Sequence, residues 1–320
     1  MLRGALGRAP EGDDGAELPS EALARIAAMT RAAQADGPRL AMLAAPAPRS
    51  GSNFIEALAL AGGGVAGAPL GLGEAGFLAA GGALDAYRRA LAGRHAAAGA
   101  LEAEAWLGFA LAGFARAAAR AAGPVPAQVV LLKDPRALGL TRAEAAAPDM
   151  RLILVIRDGR RTVDSALRTW RSAGPRRWLQ RGPAELAAEW ARGVDALLDL
   201  AERRAEALPV RYEAAASDPR AASDLLRAHL GLPPAPAGEA ERAARLVRGS
   251  STASRSGGAV DWTPRTRAEG FAPAVREVDW PARWERAYRR EAARTEARLD
   301  ATLPFRLPRK PEKAPRLAVA

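Results

Sequence analysis

The chain contains no cysteine, which excludes disulfides, thiolate metal sites and cysteine nucleophiles. Histidine is almost as scarce, with only His95 and His229. Among 47 basic residues only Lys133, Lys310 and Lys313 are lysines. No apolar run reaches the ~18 residues that a membrane-crossing helix needs. The first 36 residues lack the charged-then-apolar layout of a secretory leader, so the expected location is the cytoplasm. No carboxylate cluster suggests a metal. Aromatic residues make up 5% of the chain and show no interleaved stacking pattern. A nucleic-acid-binding role without catalysis therefore rests on the net charge of +11 alone. That charge is nearly all arginine, in a chain rich throughout in Ala, Arg, Gly and Pro. Against this background Lys133 stands out, because a compact ammonium and a planar guanidinium do not substitute freely at a precise site.

What is present is a repeating order of apolar runs and helical patterns. Four short runs, 39–45, 128–132, 152–156 and 209–212, read as buried strands. Each is followed by a polar or glycine-bearing turn and then a helical period. The helix after the second run has a capping box in Thr141 and Glu144. A long helix near 184–207 places Leu186, Trp190, Val194, Leu197 and Ala201 on one stripe. Another is bracketed by Asp218-Pro219 and Gly231-Leu232-Pro233, and a last one near 281–299 is expected to bury Trp284 and Tyr288. Alternating strands and helices predict an α/β fold: three layers, α/β/α, around a central parallel sheet. The expected layout is a mobile extension over 1–37, one domain over 38–305 and a basic, proline-bearing disordered tail over 306–320. The stretch 249–280 is irregular, rich in Ser, Gly, Arg and Pro. In parallel sheets ligands sit at the carboxyl ends of strands, and the polar motifs all fall there.

The first such motif is Pro48-Arg49-Ser50-Gly51-Ser52-Asn53, between the first strand and its helix. Consecutive backbone N–H groups, a glycine and a cationic side chain at a helix start suit a phosphate or sulfate; the bland alternative is an ordinary well-capped turn. It is not a Walker loop, since the lysine is missing. The second follows the third strand: Arg157-Asp158-Gly159-Arg160-Arg161, with Ser165 eight residues after Arg157. It reads as a second anion clamp or as a solvated basic helix start. The third is Lys133-Asp134-Pro135-Arg136, which reads as a functional lysine or as a lysine paired to Asp134.

Together these segments resemble the sulfotransferases that use 3′-phosphoadenosine 5′-phosphosulfate (PAPS). That family carries a Pro-Arg/Lys-Ser/Thr-Gly-Ser/Thr-Ser/Thr loop, and a strand running into Arg-Asp-x-Arg with a serine eight residues after the first arginine. The Lys-Asp-Pro and Arg-Asp-Gly-Arg forms resemble most the tyrosylprotein and carbohydrate-type branch. Val210-Arg211-Tyr212-Glu213, Asp218-Pro219 and His229-Leu230-Gly231-Leu232 are similar to the next strand and helix, so the resemblance spans roughly 39–235. It implies a P-loop-like sulfotransferase fold and an enzyme that moves a sulfuryl group from PAPS to an acceptor, without a metal. Arg49 and the backbone of Ser50, Gly51, Ser52 and Asn53 would hold the 5′-phosphosulfate. Arg157 and Ser165 would hold the 3′-phosphate, and Tyr212 would lie near the nucleotide or simply in the core. Arg49 and Lys133 would offset charge on the transferring group. Glu74, 25 residues after Arg49 in a Gly-Glu segment, would be the base, with Glu56 its rival. His229 reads as structural, and His95 has no motif around it. Ser254 and Arg255 fall where a nucleotide-covering loop is expected. Asn53 departs from the family's hydroxyl residue. The competing readings are a P-loop kinase-like enzyme using ATP, which the missing Walker lysine opposes, and the basic nucleic-acid-binding protein. The acceptor stays open: a sugar, glycolipid, peptide or small molecule.

Overall fold

In the computed structural model the described residues are 35–67, 110–134, 147–171, 181–247 and 277–302, with a few isolated positions besides. A five-stranded parallel sheet runs through them: β1 (Arg39–Ala44), β2 (Val65–Ala66), β3 (Val129–Asp134), β4 (Arg151–Ile156) and β5 (Leu208–Arg211), in the order β2-β3-β1-β4-β5. The helices are α1 (Ser52–Leu60), α2 (Gly159–Arg171), α3 (Pro183–Arg203), α4 (Tyr212–Ser217), α5 (Pro219–His229), α6 (Glu239–Ala244) and α7 (Ala282–Thr302), with residues 110–121 helical as well. A two-stranded antiparallel pair, β6 (Leu246–Val247) with β7 (Arg265–Thr266), lies outside the main sheet. The expected α/β class is what the chain adopts.

Both faces of the sheet are buried, which is why its strands read as unbroken apolar runs. Strand residues alternate between faces. Leu40, Met42, Val130, Leu132, Leu152 and Leu154 pack with Trp190, Val194, Leu197 and Tyr288 of α3 and α7. Ala41, Leu43, Val129, Leu131, Ile153 and Val155 pack with Ile55, Leu58, Ala222 and Leu226 of α1 and α5. The four predicted strands are found within a residue or two of their expected limits, while β2, only two residues long, was not foreseen. Trp284 is half-buried against the core rather than within it. The expected tail, most of the expected extension and the capping position Thr141 lie outside the described residues.

The chain leaves β1 for β2 and β3 on one side of it, then crosses over β1 to β4 and β5 on the other. This makes the carboxyl end of β1 the switch point at which such sheets bind ligands. The helix α3 presses on that point. A Cβ built on Gly193 would lie 2.0 Å from the carbonyl oxygen of Pro46, just after β1. Exchanging a mid-helix glycine for alanine normally stabilises by ~1 kcal/mol. Here the obstacle is backbone, so Gly193→Ala is expected instead to destabilise by ~1–3 kcal/mol, measured by urea denaturation.

The C-terminal helix α7 lies along α3, with Thr295 Oγ1 donating to Asp195 (3.1 Å) and Arg298 paired with Asp199 (2.6 Å). Tyr288 is buried and its hydroxyl donates to Glu296 (2.5 Å). Burial first, and then Asp158, Asp300 and Glu285, hold the Glu296 carboxyl above the usual glutamate range, against the downward pull of the Tyr288 bond. A carboxyl raised in the folded state binds its proton more tightly there. Its stabilising contribution is complete below the ordinary value of ~4.3 and is lost as pH rises through the raised one. Glu296→Gln should therefore raise Tm at pH 7 and change it little at pH 4, checked by calorimetry.

Candidate anion-binding site

The turn after β1 is built to close tightly. The Ser50 hydroxyl and backbone N–H both donate to the Ala47 carbonyl, at 2.8 and 3.3 Å, and the side chain is fully buried. The Ser50 hydroxyl proton is thus used within the turn, and its N–H shares the same acceptor. Arg49 adopts a left-handed backbone, φ 76°, and is the one non-glycine residue to do so among the described residues. Such a conformation costs of order 1 kcal/mol or more and tends to persist at functional turns. Gly51, φ 89°, takes the cap position of α1, and no side chain caps the helix. First-turn N–H groups left without a side-chain cap are the groups that hold anions at helix starts.

The second loop leaves β4, the strand beside β1, at the same sheet edge. Asp158 caps α2 through Arg161 N–H (2.9 Å), and its own N–H donates to Glu213 (3.0 Å). The two predicted anion loops then meet directly. Arg157 Nη1 donates to the Arg49 carbonyl (2.9 Å), and Arg49 Nε donates to Ser165 Oγ (3.2 Å). Arg157 also stacks over the Tyr212 ring, 4.7 Å to its centroid, a favourable cation–π distance. Its Nε is buried and has no hydrogen-bond partner among the described residues. A guanidinium donor left so is costly unless an acceptor arrives, and the cradle it shares with Arg49 and Ser165 suits an anionic one.

Arg160 does not join this cradle, although its place in the Arg-Asp-Gly-Arg segment suggested a cluster of three arginines around one anion. It pairs with Glu285 of α7 (2.8 Å), donates to the Val278 carbonyl (3.2 Å) and lies 5.6 Å from the Trp280 ring centroid. Its role here is to fasten α7 to the start of α2. Gly159 permits the same contact, since a Cβ there would fall 2.1 Å from the Tyr288 oxygen.

Tyr212 is the back wall of the turn. It is 9% exposed, stands edge-on to Phe54 at 5.5 Å, and belongs to the core on the α1 side. It lies against Gly51, whose built Cβ would come within 2.2 Å of its ring.

Lys133 lies beneath the turn, 1% exposed. Its ammonium donates to Asn53 Oδ1 (2.6 Å) and to Glu56 Oε2 (2.7 Å). A carboxylate partner is thus Glu56 on α1, which the sequence reading had not paired with it. Asn53 now has a physical reason: a hydroxyl there would be shorter, whereas the amide carbonyl reaches the lysine. Glu56 is itself 2% exposed, and a Cβ built on Gly67 would lie 3.3 Å from its other oxygen. Glu74, His95, Ser254 and Arg255 lie outside the described residues. His229 accepts a bond from Arg151 at its backbone carbonyl, on the far side of the sheet edge from the cradle. Among the described residues no group of His, Asp or Glu could hold a metal, and no helix is long and apolar enough to cross a membrane.

Residues 46–236, more than half of the chain, match the model of the sulfotransferase family. No curated protein matches the chain. Among solved structures, a sulfotransferase domain from the curacin biosynthetic pathway is similar at 16% identity, with a TM-score of 0.47, 85% of this chain and 99% of that one covered. A sulfotransferase domain from the Synechococcus PCC 7002 olefin synthase is similar at 18% identity and a TM-score of 0.48, with 84% and 97% covered.

The contact between Gly51 and Tyr212 gives a sharp test of the wall. Gly51→Ala adds both backbone strain at positive φ and a clash with the ring, and is expected to destabilise by ~2–4 kcal/mol. In a Tyr212→Ala background the same change should cost markedly less. A double-mutant cycle from denaturation curves measures the difference.

Proposed function

Because the chain belongs to the sulfotransferase family, we propose that it moves the sulfuryl group of PAPS to a hydroxyl or amine of an acceptor by in-line displacement. The observation that carries this reading is the joining of two anion loops through the Arg157–Arg49 and Arg49–Ser165 bonds. One cradle of that kind fits a nucleotide charged at two separate positions. Arg49 and the backbone from Ser50 to Asn53 would hold the 5′-phosphosulfate. Arg157, with its unpartnered buried Nε, would hold the 3′-phosphate together with Ser165, whose hydroxyl accepts from Arg49. Tyr212 would wall the nucleotide side of the turn.

In the reaction the acceptor oxygen forms a bond to sulfur as the bond from sulfur to the bridging phosphate oxygen breaks. The acceptor's proton passes to a base, and the bisphosphate leaves. By analogy with phosphoryl transfer, the protein chiefly positions the reactants and offsets charge on the moving and leaving oxygens. Arg49 and Lys133 are suited to that. Glu74 is the proposed base. Glu56 suits the role less, because taking a proton would dissolve its 2.7 Å ion pair with Lys133 inside the core. The nucleic-acid reading still rests on the net charge of +11 alone. The acceptor is best sought by mass spectrometry, as metabolites that gain sulfate when the chain and PAPS are added.

The product 3′-phosphoadenosine 5′-phosphate (PAP) is expected to raise Tm by several degrees and ATP by far less. Equal shifts would favour the ATP-using alternative. Arg157→Ala should weaken PAP at least tenfold more than adenosine 5′-phosphate, both measured by calorimetric titration. Equal losses would remove Arg157 from the 3′-phosphate.

A further inference from the structure

Lys133, Asn53 and Glu56 form a buried polar unit that the roles above do not explain. Asn53 and Glu56 stand three residues apart on α1, so both face the same way, and one lysine meets both, at 2.6 and 2.7 Å. Lysine and glutamate side chains are 1% and 3% exposed. A buried ammonium without a counter-ion is expensive and tends to lose its proton. An ion pair of this kind is seldom the cheapest way to fill a core; its retention calls for a use. The unit lies under the first turn of α1, the turn whose backbone is proposed to hold the phosphosulfate.

We infer that Glu56 and Asn53 are positioning residues for Lys133: they hold its ammonium in place, charged, beneath the anion-binding turn. The inference rests on the donor reading above and goes beyond it in assigning Glu56. Glu56 acts on the reaction through the lysine, as counter-ion, and not as proton acceptor. Asn53 ties the lysine to the turn itself, so that the loop and the cation move together when the donor binds. Glu56 meets this ammonium at 2.7 Å, inside the core. The adjoining β1 residues are Leu43 and Ala44, β2 offers Val65 and Ala66, and Asp134 falls on the other face of β3 by strand alternation.

The scarcity of lysine makes this directly observable. With only three lysines in the chain, lysine labelled with carbon-13 at Cε gives at most three signals, and Lys133→Met identifies the one from Lys133. Adding PAP to the wild-type protein is expected to shift that signal, and adding adenosine is not. In Glu56→Gln, PAP affinity should fall at least tenfold at pH 8.5 and less at pH 6.5, because the buried ammonium has lost the charge that kept it protonated. Glu56→Asp should recover part of the affinity. A Lys133 signal unmoved by bound PAP in the wild-type protein overturns the inference without any variant having to fold. So does a Glu56→Gln protein that binds PAP as the wild type does at both pH values. Unchanged PAP binding with lost sulfuryl transfer would instead make Glu56 the base. Failure of the wild-type protein to bind PAP at all would sink the donor reading, and this inference with it.

Discussion

One guanidinium holds the carbonyl of a residue whose own guanidinium reaches back to the helix behind the first. Arg157 donates to the Arg49 carbonyl, and Arg49 donates to Ser165. This reciprocal pair of bonds joins two turns that are 108 and 116 residues apart in the two contacts. It is possible because β1 and β4 are neighbours in parallel register, with Ala44 opposite Leu154, so their turns rise from the sheet at the same height. Bringing two cations together opposes itself. At an effective dielectric of 20 the repulsion of unit charges a few ångströms apart is of order 2–4 kcal/mol. The carbonyl and hydroxyl acceptors recover only part of this. An anion bound between them, as proposed, would relieve the remainder, so this geometry would favour a multiply charged ligand.

Preorganisation of that kind requires a rigid backing, and the chain supplies it from two sides. Tyr212, anchored edge-on to Phe54, lies against Gly51, while α3 touches the Pro46 carbonyl through Gly193. The turn is thus held between an aromatic wall and a helix backbone, which helps keep Arg49 in its left-handed conformation. Charge-stabilising groups that need not reorganise at the moment of reaction are the ones that lower barriers most. The C-terminal helix adds a further brace. Through Arg160, Glu285 and Tyr288 it grips the start of α2, so the serine that meets Arg49 is carried on an anchored element.

The strands of the sheet were readable because burial on both faces leaves an unbroken apolar run. The long helix was readable from its stripe, in which Leu186, Trp190, Val194 and Leu197 are all buried. The two anion turns were readable from composition at strand ends. Other features were not, and for a common physical reason: their partners are remote in sequence. Gly193 and Gly159 look like ordinary helix residues until Pro46 and Tyr288 are brought against them. Arg160 looks like its neighbour Arg157, and only Glu285, far along the chain, turns it elsewhere. The two-residue β2 is too short for any period to show, and it follows a run of three glycines.

Lys133 shows how far composition can lead and where geometry must take over. A single core lysine in an arginine-rich chain announced a special position, yet nothing near it in sequence pointed to Glu56, 77 residues away. Successive strand residues point to opposite faces. Lys133 falls with Leu131 and Val129 on the side covered by α1, and Asp134 with Leu132 and Val130 on the other. On that side Glu56 of α1 meets the ammonium at 2.7 Å. A planar guanidinium would demand a wider fork of acceptors than Asn53 and Glu56 present from one helix face; a compact ammonium fits both. Asn53 and Lys133 are thus explained together, the amide in place of a hydroxyl being the partner that a lysine at that depth requires.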